Sequence, residues 1–161
     1  MDETYIKVNG NWSYLYRAVD SMGNTIEFLL RKHRDLNAVK DFFRKDLRNN
    51  GHPKKIAIDK SGSNISALNK INEDLPKDQQ IEIRQIEYLN NIIEQDHRFI
   101  KKRTKPMLGF KSFNFARITI AGIENISMIQ KMQIIGANDN YSAFENFKVL
   151  MGWLRSKSWI Y

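Results

Sequence analysis

The feature that most constrains this chain is a change of hydrophobic period part-way along it. Up to residue 31 the apolar side chains recur at every second position, and from residue 35 most of the apolar runs take helical spacing. Between Glu3 and Val8, the residues Thr4, Ile6 and Val8 alternate with Glu3, Tyr5 and Lys7, and Asn9-Gly10 supplies the positive-φ pair that tight hairpins need. Two more β-rich runs, Trp12 to Val19 and Thr25 to Arg31, are separated by the turn formers Asp20-Ser21-Met22-Gly23-Asn24. The opening stretch is therefore expected to be a three-stranded meander, a sheet whose apolar side must be covered by something later in the chain.

The cover follows at once. Asp35 stands where an N-cap belongs, Leu36, Val39, Phe43 and Leu47 follow at helical spacing, and Asn49-Asn50-Gly51 provides the stop. Lys54 to Ile58 reads as a short strand leading to Asp59, and Ile65, Leu68 and Ile71 mark a second helix that Pro76 forecloses. Ile81 to Ile86 is expected as a fifth strand. A third helix runs from about residue 90 to 104 before Pro106, and a strongly apolar fourth from Ser112 to about Met132. Phe144, Phe147, Leu150 and Leu154 share helical spacing in the tail. Three strands, then alternating helices and strands, then helices is an α/β order, in which a mixed sheet is covered on both faces. It matches an RNase H-like fold, expected here as one mixed five-stranded sheet with helices on both sides.

Composition narrows the partners. At 161 residues and 42% apolar content the chain suits one domain with a real core. Its 26 Lys and Arg against 18 Asp and Glu give a net charge of +8, which favours a polyanion, either nucleic acid or an acidic membrane surface. There is no cysteine, and His33, His52 and His97 are far apart in sequence, which argues against zinc. No apolar run approaches the roughly 18 to 20 residues that span a bilayer. The expected setting is cytoplasmic, with no membrane partner. A small-molecule substrate is not expected either, since no phosphate-cradling glycine loop occurs and Gly62 in Ser-Gly-Ser is a lone glycine.

Phosphodiester chemistry needs charge stabilisation at the attacking and the leaving oxygen, which two Mg²⁺ ions about 4 Å apart provide using a few carboxylates and several waters. Asp2 on the first strand, Asp59 at the end of the fourth and Glu94 on the third helix fall where such a fold brings acids together. Taken singly, each fits a solvated surface position just as well. On the third helix Glu94, Arg98 and Lys101 lie on one face while Ile92 and Phe99 fall opposite. Between His97 and Lys111 stand Arg98, Lys101, Lys102, Arg103, Lys105 and Lys111 with no acid, a cluster suited to phosphates. The same cluster also fits a solvated helix end favoured by the macrodipole. Trp12, Tyr14 and Tyr16 have the ring character of a base-stacking platform, but at alternate strand positions packing is the expected role.

The run from Tyr88 to Phe113, containing Glu94, Arg98, Lys101, Pro106 and Phe110, resembles bacterial insertion-sequence transposases of the family-six group. Two further stretches, Asp2 to Asp20 and Ile58-Asp59-Lys-Ser-Gly-Ser-Asn64, agree with that family in the same order. The resemblance implies a DDE catalytic domain in which Asp2, Asp59 and Glu94 are the catalytic, metal-binding triad, holding Mg²⁺ or Mn²⁺ as two ions. Glu94 follows Asp59 by 35 residues, the short spacing of this group. Lys101 occupies the place of a basic residue that contacts DNA beside the reacting phosphate, with Arg98, Lys102, Arg103 and Lys105 as further DNA-binding candidates. His97 is assigned either to ordering a carboxylate or to a structural hydrogen bond.

The implied reaction is metal-assisted attack of water, then of a 3′-hydroxyl, on phosphodiesters of transposon ends and target DNA, without a covalent protein intermediate. DNA is the implied partner, with the protein as a homo-oligomer upon it, associated with the bacterial nucleoid. The resemblance covers about residues 2 to 133. Residues 1–135 are expected to form the catalytic core and 136–161 a helical tail, without the helix-turn-helix module of family members. Because Asp2 stands beside the first residue, the alternative is a non-catalytic DNA-binding or subunit-pairing fragment.

Overall fold

Asn9 and Gly10 take φ values of 49° and 77°, so the chain reverses within two residues and β1 (Asp2–Val8) pairs antiparallel with β2 (Asn11–Val19). A second reversal sets β3 (Thr25–Arg31) against β2. The register aligns Thr4 with Leu15 and Leu15 with Leu30, so the inward side chains of three strands stack in one layer. The chain is described by a computed structural model that covers residues 1–58, 62–86, 90–134 and 136–152, excepting the side chains of Ser63 and of residues 90–96.

The helices start and stop for local reasons. In α1 (Leu36–Asn50) the Asp35 carboxylate accepts from Ala38 N–H at 2.7 Å, and Gly51, at φ 81°, returns its N–H to the Leu47 carbonyl. The expected apolar stripe is completed by Phe42, which with Val39 and Phe43 is almost wholly buried. Complete burial of a phenylalanine contributes roughly 1.5–3 kcal/mol relative to exposure. After β4 (Lys55–Ile58) and α2 (Gly62–Glu73), Asn72 holds residue 81 at two points: its amide donates to the Ile81 carbonyl and its oxygen accepts from Ile81 N–H, both at 2.9 Å. That clamp aligns β5 (Glu82–Gln85) parallel to β4. Then come α3 (Asn90–Thr104), α4 (Phe113–Gln130), capped by Ser112, and α5 (Ala143–Leu150), capped reciprocally by Ser142 and Glu145.

Two apolar layers result. On one side Tyr16 and Ala18 of β2 pack with α1, and the layer continues through Ile56 and Ile58 of β4 to Ala67 and Leu68 of α2. On the other, Ile6, Val8, Leu15 and Leu30 meet Ile100 of α3 and Ala116, Ile120 and Ile123 of α4. The molecule is thus mixed α/β with helices on both faces.

Among the described residues the strands make one sheet of three, ordered β1-β2-β3, and one of two, β4-β5, in place of the expected single sheet of five. The reason lies in the free edge of β1. Just before its first residue the Met1 ammonium donates to the Ala57 carbonyl of β4 at 2.8 Å. At its far end the same edge is taken by Phe110, whose N–H donates to Lys7 O at 2.9 Å and whose carbonyl accepts from Asn9 N–H at 2.6 Å. One edge shared between two partners leaves no room for a long β1–β4 ladder. Gly109 makes the Phe110 contact possible, because its φ is 96° and a Cβ there would lie 3.2 Å from Lys7 O.

The tail differs from expectation in its packing. α5 forms, but Phe144 and Leu150 face solvent, and its buried side chain is Asn146, which bonds to Asn138 N–H and carbonyl and to the Tyr141 carbonyl. Leu154 lies outside the described residues.

Candidate active site

Asp2 opens β1 and, by strand alternation, projects to the side of the sheet that carries α3 and α4. Its Oδ1 accepts from Glu3 N–H at 2.8 Å, and its Oδ2 lies 3.3 Å from His97 Nε2 of α3. His97 is buried, and neither of its ring nitrogens makes a well-directed hydrogen bond among the described residues, so the Asp2 contact is one of proximity more than alignment. Burial by itself would raise the Asp2 pKa, but His97, the Glu3 N–H and the terminal ammonium together hold it below the usual aspartate value. The carboxylate is therefore charged at neutral pH.

Two backbone placements bear on the other acids. The Met1–Ala57 bond brings the start of β1 beside the end of β4, which closes at Ile58. Asp59 is next in sequence and lies outside the described residues. Glu94 is three residues before His97 in the sequence of α3, and its side chain likewise lies outside the described residues. Among the described residues no cluster of three or more His, Cys, Asp or Glu is formed.

The basic segment divides by exposure. His97 and Ile100 face inward, while Arg98, Lys101, Lys102 and Lys105 are exposed. Arg103 is engaged: its guanidinium stacks 3.5 Å from the centre of the Phe99 ring. Phe99, expected on the buried side, is only half-buried and completes its cover with this cation. Lys101 and Lys102 in the last turn of α3 also suit the partial negative charge of that terminus.

Sequence reading missed an ion pair beside Asp2. Arg17, the cross-strand partner of Asp2, points between the sheet and α4, where its Nε lies 2.6 Å from Glu124 Oε1 and its Nη2 donates to Oε2 at 3.0 Å. Both side chains are fully buried. The signal was present, since Arg17 shares the inward parity of Ser13 and Leu15, and Glu124 falls four residues after Ile120. Of the three rings expected to pack, Tyr16 is wholly buried against Phe42, whereas Trp12 is 59% exposed.

The family of the DDE domain matches residues 1–133 of this sequence. The chain belongs to the DDE domain family of insertion-sequence transposases. Two relatives from Staphylococcus aureus, the transposase for insertion sequence-like element IS431mec and the transposase for insertion sequence element IS257 in transposon Tn4003, are each 40% identical over 131 residues. Those residues are 81% of this chain and 57% of each relative, so the match spans little more than half of their length. Asp2, His97, Arg17, Glu124 and the exposed lysines of α3 all fall within the matched DDE domain. No helix among the described residues is long and apolar enough to cross a membrane.

Proposed function

We propose that this DDE domain carries out metal-dependent phosphodiester hydrolysis and strand transfer on DNA at insertion-sequence ends. Its core is RNase H-like, and its metal-holding carboxylates are Asp2, Asp59 and Glu94. The observation that carries the reading is the approach of α3 to the first residue of β1, where His97 meets Asp2 at 3.3 Å. The Met1–Ala57 bond, which sets the start of β1 beside β4, supports the same reading.

The donor set fits a hard divalent ion: carboxylate oxygens, a chain without cysteine, and an Asp2 carboxylate kept charged by its neighbours. Bound at these acids, Mg²⁺ or Mn²⁺ supplies charge stabilisation at the attacking and leaving oxygens. The protein's own contribution is placement. Glu3 N–H holds one oxygen of the Asp2 carboxylate, the His97 ring stands 3.3 Å from the other, and the buried Arg17–Glu124 pair braces β2 against α4 directly across from it. Lys101, with Arg98, Lys102 and Lys105, presents positive charge to the DNA backbone from the exposed side of α3. We assign Arg103 chiefly to covering Phe99. The working form on DNA is a homo-oligomer.

The test uses labelled DNA carrying an element end, with Mg²⁺ or Mn²⁺, comparing the chain with Asp59→Asn and Glu94→Gln. Metal-dependent nicking lost in both variants is the expected result, and equal activity in all three proteins overturns the assignment. Lys101→Ala with Lys102→Ala should weaken DNA binding and flatten its salt dependence by a log–log slope of roughly 2. Salt-sensitive binding without turnover in the unaltered chain would instead identify a DNA-binding or subunit-pairing fragment.

A further inference from the structure

At the hairpin end of the three-stranded sheet lies an open groove of about 800 Å³, formed where the β1–β2 turn, the segment after β3 and the start of α4 converge. Trp12, Tyr14 and Phe113 supply its rings and Lys32, Arg34 and Lys111 its charge, and no acidic residue is among its described lining. Six intervals of strand separate Val8, at this end, from Asp2, which is roughly 20 Å at the rise of a β-strand. The groove is therefore separate from the Asp2–His97 end of the molecule.

The rings are arranged in an unusual way for a small sheet. Trp12 is 59% and Tyr5 47% exposed, and the two stand edge to face at 6.3 Å, with Tyr5 also against Tyr14 at 5.4 Å. The indole is thus braced from one side while much of its surface stays in water, where it gains nothing from burial. Of the cations, Arg34 is paired with Glu3, but Lys32 and Lys111 make no ion pair among the described residues, and Lys32 lies 5.4 Å over the Phe113 ring. Exposed aromatic faces among unanswered positive charges match unpaired nucleic acid, whose bases offer π-faces and whose backbone offers phosphates. A duplex keeps its base faces stacked on one another and offers only the second.

We propose that this groove is a second nucleic-acid surface that takes an unpaired DNA strand, with a base stacked on Trp12 and phosphates held by Lys32 and Lys111. The inference rests on the protein acting on DNA, but its test involves no metal and no cleavage, so its failure is distinguishable from failure of the catalytic assignment.

The full chain, in the presence of EDTA, is titrated with a short thymidylate strand and with a duplex of equal length, following tryptophan fluorescence. Expected are quenching by the single strand that Trp12→Phe removes, and tighter binding of single strand than of duplex. Trp12→Ala should weaken single-strand binding by roughly 5- to 150-fold, and Trp12→Phe, which retains a ring, by much less. Lys32→Ala with Lys111→Ala should lower the salt slope by about 1.4 for single strands. Because these side chains are peripheral, an unchanged circular dichroism spectrum serves as the folding control. Quenching that survives in Trp12→Phe, unchanged affinity in Trp12→Ala, or equal affinity for duplex and single strand would each overturn the proposal.

Discussion

Removing either member of the Arg17–Glu124 pair should unfold more of this protein than removing both. The two side chains are fully buried, joined at 2.6 and 3.0 Å between β2 and α4. Loss of one partner leaves the other charge in a medium that solvates it poorly, at a cost of roughly 3–5 kcal/mol, whereas an apolar pair of similar volume is often neutral or better. Arg17 makes a further interaction, so Arg17→Met is expected to cost at least as much as Glu124→Leu. In thermal unfolding each single change corresponds to a Tm lower by about 6–20 °C for a chain of this size. The assay is urea unfolding at pH 7 followed by far-ultraviolet circular dichroism for the chain, both single variants and the double variant. With unchanged m-values, the double variant should recover at least about 3 kcal/mol of the summed single losses. Single losses below about 1 kcal/mol, or strict additivity in the double variant, would refute the reasoning and mean that water reaches the pair.

Other consequences follow from individual residues. Asp2 has a folded pKa below its unfolded value, so it contributes stability that is present above about pH 4 and lost as pH falls through the folded value. Asp2→Asn should therefore flatten the acid limb of a stability profile below that pH, and an identical slope in both proteins would remove His97 and Glu3 N–H as the cause. Gly109→Ala forces a Cβ onto a φ of 96° and to 3.2 Å from Lys7 O, at an expected cost of roughly 1–3 kcal/mol in urea unfolding; an unshifted midpoint would show that the Phe110 edge contact is dispensable. The buried Tyr16 hydroxyl has no hydrogen-bond partner among the described residues, and burial, together with the nearby Glu3 charge, pushes it up to about 12. Spectrophotometric titration should show that tyrosine ionising last. Tyr16→Phe should be neutral or stabilising by up to about 1 kcal/mol, whereas a marked loss would reveal a hydrogen bond to the hydroxyl.

Much of the architecture was legible because it is written in short-range chemistry. Strand alternation, the Asn9-Gly10 reversal, the Asp35 cap and the Gly51 stop act within a few residues of themselves, and each appears where the sequence places it. The family was legible for a different reason, namely that the stretches around Asp2, Ile58-Asp59 and Glu94 to Phe110 keep their order and spacing, and the DDE domain match spans all of them. Phe144 and Leu150 mark the limit of that approach, since helical spacing says which residues share a face but not whether another surface arrives to cover it.

What only the tertiary structure decided are the long-range competitions. No local pattern says that Phe110 takes one end of the β1 edge and Ala57 the other, since one partner arrives from beyond α3 and the other from 56 residues along the chain. Nor does the alternation that turns Arg17 inward name Glu124 as its partner, 107 residues away, or lay the His97 ring against Asp2. By itself the sequence determined the elements, the family and the residues eligible for the site, because these rest on local periodicity and kept spacing. Which of those residues touch is settled by packing, where each contact excludes another.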